Sequence, residues 1–214
     1  MNRLIANPNC STIQAVLPLK ALQEAFGIQR VNYSTYQAVS GSGQKGIEDL
    51  HRTQNDEKPV LYPYNISQTV IPEIDQPLEN GYTKEEQKMI NETRKILHQP
   101  ALPVSATCVR VPIENGHGVS VAVQLQKEFT TEEIRECLSQ FPGIQLEDDL
   151  AAHKYPTSIL ARGTDMVYVG RIRKDTSLEN GLLFTTADNI RKGAAANAVQ
   201  IAAALMQKIA EVAR

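Results

Sequence analysis

The chain has 214 residues, enough for one large domain with a substantial core, and its 22 Lys and Arg against 24 Asp and Glu leave a formal charge of −2. That balance gives no electrostatic case for nucleic acid or an anionic membrane surface, and apolar runs such as Ile201 to Met206 fall far short of a bilayer span. Three cysteines (Cys10, Cys108 and Cys137) without a Cys-x-x-Cys spacing point to reduced thiols in a cytoplasmic setting, not to a disulfide framework or structural zinc.

In chain order, the polar run Asn7-Pro8-Asn9-Cys10-Ser11-Thr12 ends an apolar stretch and opens a helix. From Ser11 to Phe26 apolar residues recur at helical spacing, with Gly27 as the stop and a kink expected at Pro18. Arg30 to Ser40 reads as a strand, after which Gly41-Ser42-Gly43 opens a helix around Ile47, Leu50 and His51. An irregular, proline-bearing stretch from Asp56 to Asn80 follows, and Thr83 with Glu86 forms a capping box for a helix reaching His98. Strands are expected at Ser105 to Pro112, Val119 to Lys127, Met166 to Arg173 and Leu182 to Thr186, with a short helix from Thr130 to Phe141. The alanine-rich segment from Asn189 to Val212 reads as a last helix whose small-residue face needs a large neighbour. Helices and strands mix without regular alternation, which implies an α+β fold with a mixed, largely antiparallel sheet and flanking helices.

Cys10 stands where a helix start can favour thiolate over thiol, and Asn-Cys-Ser-Thr is too polar for an ordinary core position, so Cys10 is the expected nucleophile. His117, between Gly116 and Gly118, reads as a turn histidine: either an exposed loop residue or the proton-handling partner of the thiol. Arg110, inside the apolar strand Cys108-Val109-Arg110-Val111, needs an anion: a salt bridge across the sheet, or a ligand carboxylate held bidentately. Glu85 and Lys88 share one face of the capped helix, as a solvated pair or as ligand contacts. Gln37, at a strand end, is a weak signal alone. Gly41-Ser42-Gly43-Gln44-Lys45-Gly46 matches a dinucleotide fingerprint, but the expected acidic residue about 20 positions on falls in the proline-bearing stretch, so a glycine-rich helix entry is the reading kept. His51, His98 and His153 show no spacing that would hold a metal.

Asn7-Pro8-Asn9-Cys10-Ser11-Thr12-Ile13-Gln14, then Ser34-Thr35-Tyr36-Gln37-Ala38-Val39-Ser40-Gly41, then Cys108-Val109-Arg110-Val111 with Gly116-His117, resemble bacterial aspartate-semialdehyde dehydrogenase in order and spacing. Ile74-Asp75, Glu79-Asn80-Gly81-Tyr82, Asn91-Glu92-Thr93, the run Val169 to Asp175, Asp188-Asn189 and Lys192-Gly193-Ala194-Ala195 extend the resemblance over nearly the whole chain.

The resemblance implies a fold similar to the C-terminal domain of glyceraldehyde-3-phosphate dehydrogenase. It divides the chain into a catalytic and dimerisation domain, 1–187, and a C-terminal helix, 188–214, that packs on a nucleotide-binding domain which in the family precedes the cysteine motif. It further implies NADP-dependent reductive dephosphorylation of L-4-aspartyl phosphate to L-aspartate 4-semialdehyde, on the route to lysine, diaminopimelate, methionine, threonine and isoleucine, by a homodimer or homotetramer. By the same resemblance Cys10 is the nucleophile, His117 the acid/base and Gln37 the residue that orients the intermediate. Arg110 holds the substrate carboxylate and Glu85 its amino group, Lys88 and Asn9 lie at the phosphate site, and Asn189 lies near the nicotinamide. Without the nucleotide domain the chain is expected not to turn over by itself. A nucleotide-independent Cys-His acyltransferase or thioesterase, and a non-catalytic dimerisation module, are the alternatives.

Overall fold

The computed structural model of the protein describes residues 4–176 and 181–212; the expectations for the first three residues and for 213–214 lie outside it. Helix α1 (Cys10–Phe26) starts because the Asn9 side chain accepts from the backbone N–H groups of Ser11 and Thr12, and it stops at Gly27, whose φ of +71° suits glycine. It continues through Pro18 as a single element. Strand β1 (Ile28–Gln37) follows directly, then a 3-10 turn over Val39–Ser42 and helix α2 (Gln44–Gln54). Helix α3 (Lys84–Ile96) carries both bonds of the Thr83/Glu86 capping box.

Strands β2 (Val104–Arg110) and β3 (His117–Leu125) lead to helix α4 (Thr131–Ser139), which has a second capping box, Thr130 with Glu133. Two short elements have no counterpart in the sequence reading: strand β4 (Ile144–Leu146) and helix α5 (Ser158–Ala161). Strands β5 (Val167–Lys174) and β6 (Gly181–Ala187) complete the sheet, and a π-helical turn over Arg191–Ala195 leads into helix α6 (Ala196–Val212).

The six strands form one open, mixed sheet in the order β2-β1-β3-β6-β5-β4. The pairs β1–β2 and β4–β5 are parallel, and the three central pairings are antiparallel. Helices α1, α3 and α4 cover one face. Registered rows such as Tyr33–Val121–Leu183 and Thr35–Val119–Thr185–Val169 point into the core beneath them and are buried. The next rows, Tyr36–Gly118–Thr186 and Ser34–Ser120–Phe184, alternate to the other face, where the short α5 meets β6 and the Thr157 carbonyl at its start accepts from Thr186 Oγ1 at 3.3 Å. There Tyr36 is 44 % exposed and its ring lies 6.1 Å from that of Phe184. Gly118 must be bare, because a Cβ would stand 2.7 Å from the Phe184 ring.

Candidate active site

Cys10 is the first residue of α1, as the sequence implies, but its expected charge state is corrected. Burial pushes the thiol up to about 11, the Glu85 carboxylate adds to the rise, and Ser11 and the Arg110 guanidinium offset only part of it. A helix start lowers a thiol through free N–H groups and its dipole. Here the N–H groups of Ser11 and Thr12 are already bonded to Asn9 Oδ1, so desolvation wins and the resting group is a thiol.

His117 is likewise not an exposed turn residue. It begins β3 and is fully buried. Its Nδ1 accepts the Ala38 N–H at 3.0 Å, so the neutral ring carries its proton on Nε2, a buried atom with no hydrogen-bond partner among the described residues. Burial, then the positive charge of Arg110, push the imidazole down to about 3. Cysteine and histidine therefore rest as thiol and neutral imidazole rather than as an ion pair.

Arg110 ends β2 beside Gln37 of β1 and is 5 % exposed. One guanidinium nitrogen donates to the Ala38 carbonyl at 2.7 Å, and no carboxylate lies within 4 Å among the described residues, so the alternative of a salt bridge across the sheet is excluded there. A Cβ on Gly41 would stand 2.7 Å from that nitrogen and 3.3 Å from His117 Nε2. The Gly41 backbone thus packs closely against the Arg110 guanidinium and the His117 ring, an approach that a residue with a Cβ would block. The Gly41 to Gly46 motif serves this close approach and the entry to α2. Gly46 packs against its own chain, since a Cβ there would meet the Val39 carbonyl.

Glu85, 6 % exposed on α3, is the hub of the polar groups around Cys10. Its Oε1 accepts from Asn9 Nδ2 at 2.8 Å and from Gln37 Nε2 at 3.3 Å, and its Oε2 lies 3.7 Å from Lys88 Nζ. Lys88 reaches outward to Asp75 at 2.8 Å. Asn9, expected at a phosphate site, has both its side-chain oxygen and one of its amide hydrogens engaged within the protein. Asn189 lies on the other side of the 3-10 turn, accepting the Gly116 N–H at 2.8 Å and donating to Ser40 Oγ at 3.0 Å. A Cβ on Gly193 would stand 3.1 Å from Cys10 Cβ, so the π turn presses bare backbone against the cysteine. The structure thus brings Cys10, Asn9, Gln37, Glu85, Arg110 and His117 together, with Lys88 and Asn189 at the margins. Ser40, Gly41, Gly193 and Glu92 belong to the same surroundings and were not singled out from sequence; the glycines stood in motifs whose reason shows only when the partner atoms are placed.

A half-buried thiol at a helix start thus stands with a buried arginine that has no carboxylate partner among the described residues and a neutral histidine with a free N–H. The family model described as semialdehyde dehydrogenase, dimerisation domain, matches residues 19–192, and the chain belongs to that family. It is 50 % identical over 213 residues to the aspartate-semialdehyde dehydrogenase of Aquifex aeolicus, covering 96 % of this chain and 63 % of that protein. The crystal structure of aspartate semialdehyde dehydrogenase II complexed with ASA from Vibrio cholerae superposes with a TM-score of 0.89 at 44 % identity, over 95 % of this chain and 62 % of that one. The aspartate semialdehyde dehydrogenase with NADP from Candida albicans is more distant, with a TM-score of 0.65 at 26 % identity over 88 % of this chain and 53 % of that one. The chain therefore spans a little under two thirds of the length of the bacterial relatives. Among the described residues no helix is long and apolar enough to cross a membrane, and no group of three His, Cys, Asp or Glu is placed to hold a metal.

Proposed function

We propose that this chain carries the thiol chemistry of an aspartate-semialdehyde dehydrogenase: reductive dephosphorylation of L-4-aspartyl phosphate to L-aspartate 4-semialdehyde with NADPH, the branch-point step toward lysine, diaminopimelate, methionine, threonine and isoleucine. The observation that carries the reading is the gathering of Arg110, Glu85 and His117 around Cys10, because a buried cation and a buried anion together suit a zwitterionic amino acid.

Arg110 binds the substrate carboxylate through its planar fork, and Glu85 binds the ammonium group. The second contact does more than orient. Glu85 is one of the two causes that keep the Cys10 proton on, so a substrate cation on Glu85 cancels its charge and eases thiolate formation. Cys10 sulfur then attacks the acyl carbon, the carbon–oxygen bond to phosphate breaks, and the departing phosphate takes the thiol proton, leaving a thioester. Lys88, half exposed and raised above its usual range chiefly by its bond to Asp75, stays cationic at the rim to meet the phosphate.

NADPH, when bound, supplies the hydride that reduces the thioester. Asn189 and Ser40 present amide and hydroxyl groups for the nicotinamide edge, and the bare backbone of Gly193 against Cys10 lets a flat ring approach. The nucleotide's remaining contacts are assigned to the domain that the family resemblance places before the cysteine motif. His117 Nε2–H donates to the oxygen that becomes negative at the thiohemiacetal, and takes that proton back as the carbon–sulfur bond breaks and the aldehyde leaves.

The sheet face around Tyr36 and Phe184 is the proposed surface of a homodimer, and the exposed apolar side chains of α6, including Met206 at 71 %, are proposed to pack on the nucleotide domain. The test fuses the chain to the complementary N-terminal part of the Aquifex aeolicus relative and follows NADP reduction with L-aspartate 4-semialdehyde and phosphate. Phosphate-dependent reduction that Cys10→Ala abolishes supports the reading. A fusion that binds NADP yet reduces none overturns it.

A further inference from the structure

We infer that Glu92 is a positioning residue for the nucleophile: by accepting the backbone N–H of Asn9 it fixes the chain immediately before Cys10 and keeps the half-buried thiol in place. The inference rests on Cys10 being the reactive thiol and on no other part of the proposed reaction.

Glu92 Oε2 accepts the Asn9 N–H at 2.8 Å across 83 residues of sequence. Glu92 is half-buried and forms no ion pair within 4 Å among the described residues, so the bond is not a by-product of a salt bridge. It lies seven residues after Glu85 on α3, two helical turns on, and therefore on the same face. The two carboxylates grip one residue from the same helix: Glu85 holds the Asn9 side-chain amide at 2.8 Å, and Glu92 holds its main chain. Asn9 Oδ1 caps α1 as well, and the Asn9 carbonyl accepts the Ile13 N–H of α1 at 3.0 Å, so both its main chain and its side chain are committed.

The first turn of α1 has no acidic residue of its own. A carboxylate beside a helix N-terminus is the usual complement to its dipole, and α3 supplies it. The charges that shift the Cys10 thiol are those of Glu85 and Arg110, so Glu92 acts on it through the tether. The tether lies one residue from the cysteine and holds it against Gly193.

The test reads the thiol directly, without substrate or nucleotide, so a failure of the dehydrogenase assay and a failure of this inference are separate results. In a Cys137→Ser background, the rate of Cys10 alkylation by iodoacetamide is followed against pH for the parent, Glu92→Gln and Glu92→Ala, with protein folding checked by circular dichroism. Glutamine keeps the acceptor and removes the charge; alanine removes both. The expected result is that Glu92→Gln keeps the parent's pH profile. Glu92→Ala should alkylate faster, about ten-fold for each pH unit by which the released thiol returns toward its free value. Glu92→Ala with the parent's profile overturns the inference, and so does Glu92→Gln behaving like Glu92→Ala, which would make the charge and not the tether responsible. If alanine does not fold, Glu92→Asp, one methylene too short to reach Asn9, must give the same acceleration.

Discussion

Two buried carboxylates in this molecule do the same bonding work with different donors. Asp49, 1 % exposed on α2, accepts the backbone N–H groups of Val60, Leu61 and Tyr62 at 2.7, 3.1 and 3.0 Å and so pins the proline-bearing stretch onto a small second core of Val39, Leu50, Ile66 and Ile71. Glu85 instead accepts from the side chains of Asn9 and Gln37 with Lys88 nearby. Backbone donors cannot be exchanged without refolding a loop, whereas side-chain donors can turn aside for a ligand ammonium group. One carboxylate is therefore expected to hold shape, and the other to change partners during chemistry.

The largest expected effect separates them on the Glu85 side. Glu85→Gln keeps hydrogen bonding to Asn9 and Gln37 but removes the charge that would pair with the substrate, so in the fused enzyme kcat/KM should fall by the equivalent of about 2–4 kcal/mol. The same variant should speed Cys10 alkylation at fixed pH, since Glu85 is the second cause of the raised thiol. Lower kcat/KM without faster alkylation would mean that the charge acts on substrate alone.

Asp49→Ala is the converse. It removes the acceptor of three partly buried N–H groups, two of them on the exposed residues Val60 and Leu61, and equilibrium unfolding should show a loss of about 1–3 kcal/mol. The kcat of the folded variant should match the parent. A variant that unfolds at the parent's denaturant midpoint would show that the pinned stretch is held by its apolar contacts.

What could be read ahead of the structure divides along the same line, between local and long-range bonding. The Thr83/Glu86 box joins residues three apart, so the start of α3 is written in a few letters. The α1 start is legible from Asn9-Cys10-Ser11 for the same reason. Glu92 and Glu85 reach Asn9 across 83 and 76 residues, which no spacing rule covers. The protonation state of Cys10 depends on burial by α3 and the π turn, so a helix start alone misled. His117 was misread for a related cause: flanking glycines signal a turn, yet Gly118 is bare because the Phe184 ring needs the space above it. Strand β4 has three residues and helix α5 four, too few for any periodicity to show.

The smallest expected effect concerns Lys88, which Glu85 shares with Asp75. The 2.8 Å bond between Lys88 and Asp75 is the first cause of the lowered Asp75 carboxyl and of the raised Lys88 ammonium, but the two side chains are 48 % and 31 % exposed, so solvent screens the pair. Asp75→Asn should cost no more than about 1 kcal/mol at neutral pH. The sign fixes the pH window. A lowered carboxyl contributes stability that is complete above its ordinary value near pH 4 and disappears as pH falls through the folded value. A raised lysine contributes below its ordinary value near pH 10.4 and loses that contribution as pH rises through the folded value. The difference in unfolding free energy between parent and Asp75→Asn should therefore stay flat from about pH 5 to 9 and shrink toward either extreme. It should also shrink with added salt, whereas the Asp49→Ala loss should not, because backbone hydrogen bonds to a buried carboxylate are screened far less than an exposed pair. Equal salt sensitivity in the two variants would erase the distinction drawn between the rim of the site and the pinned loop.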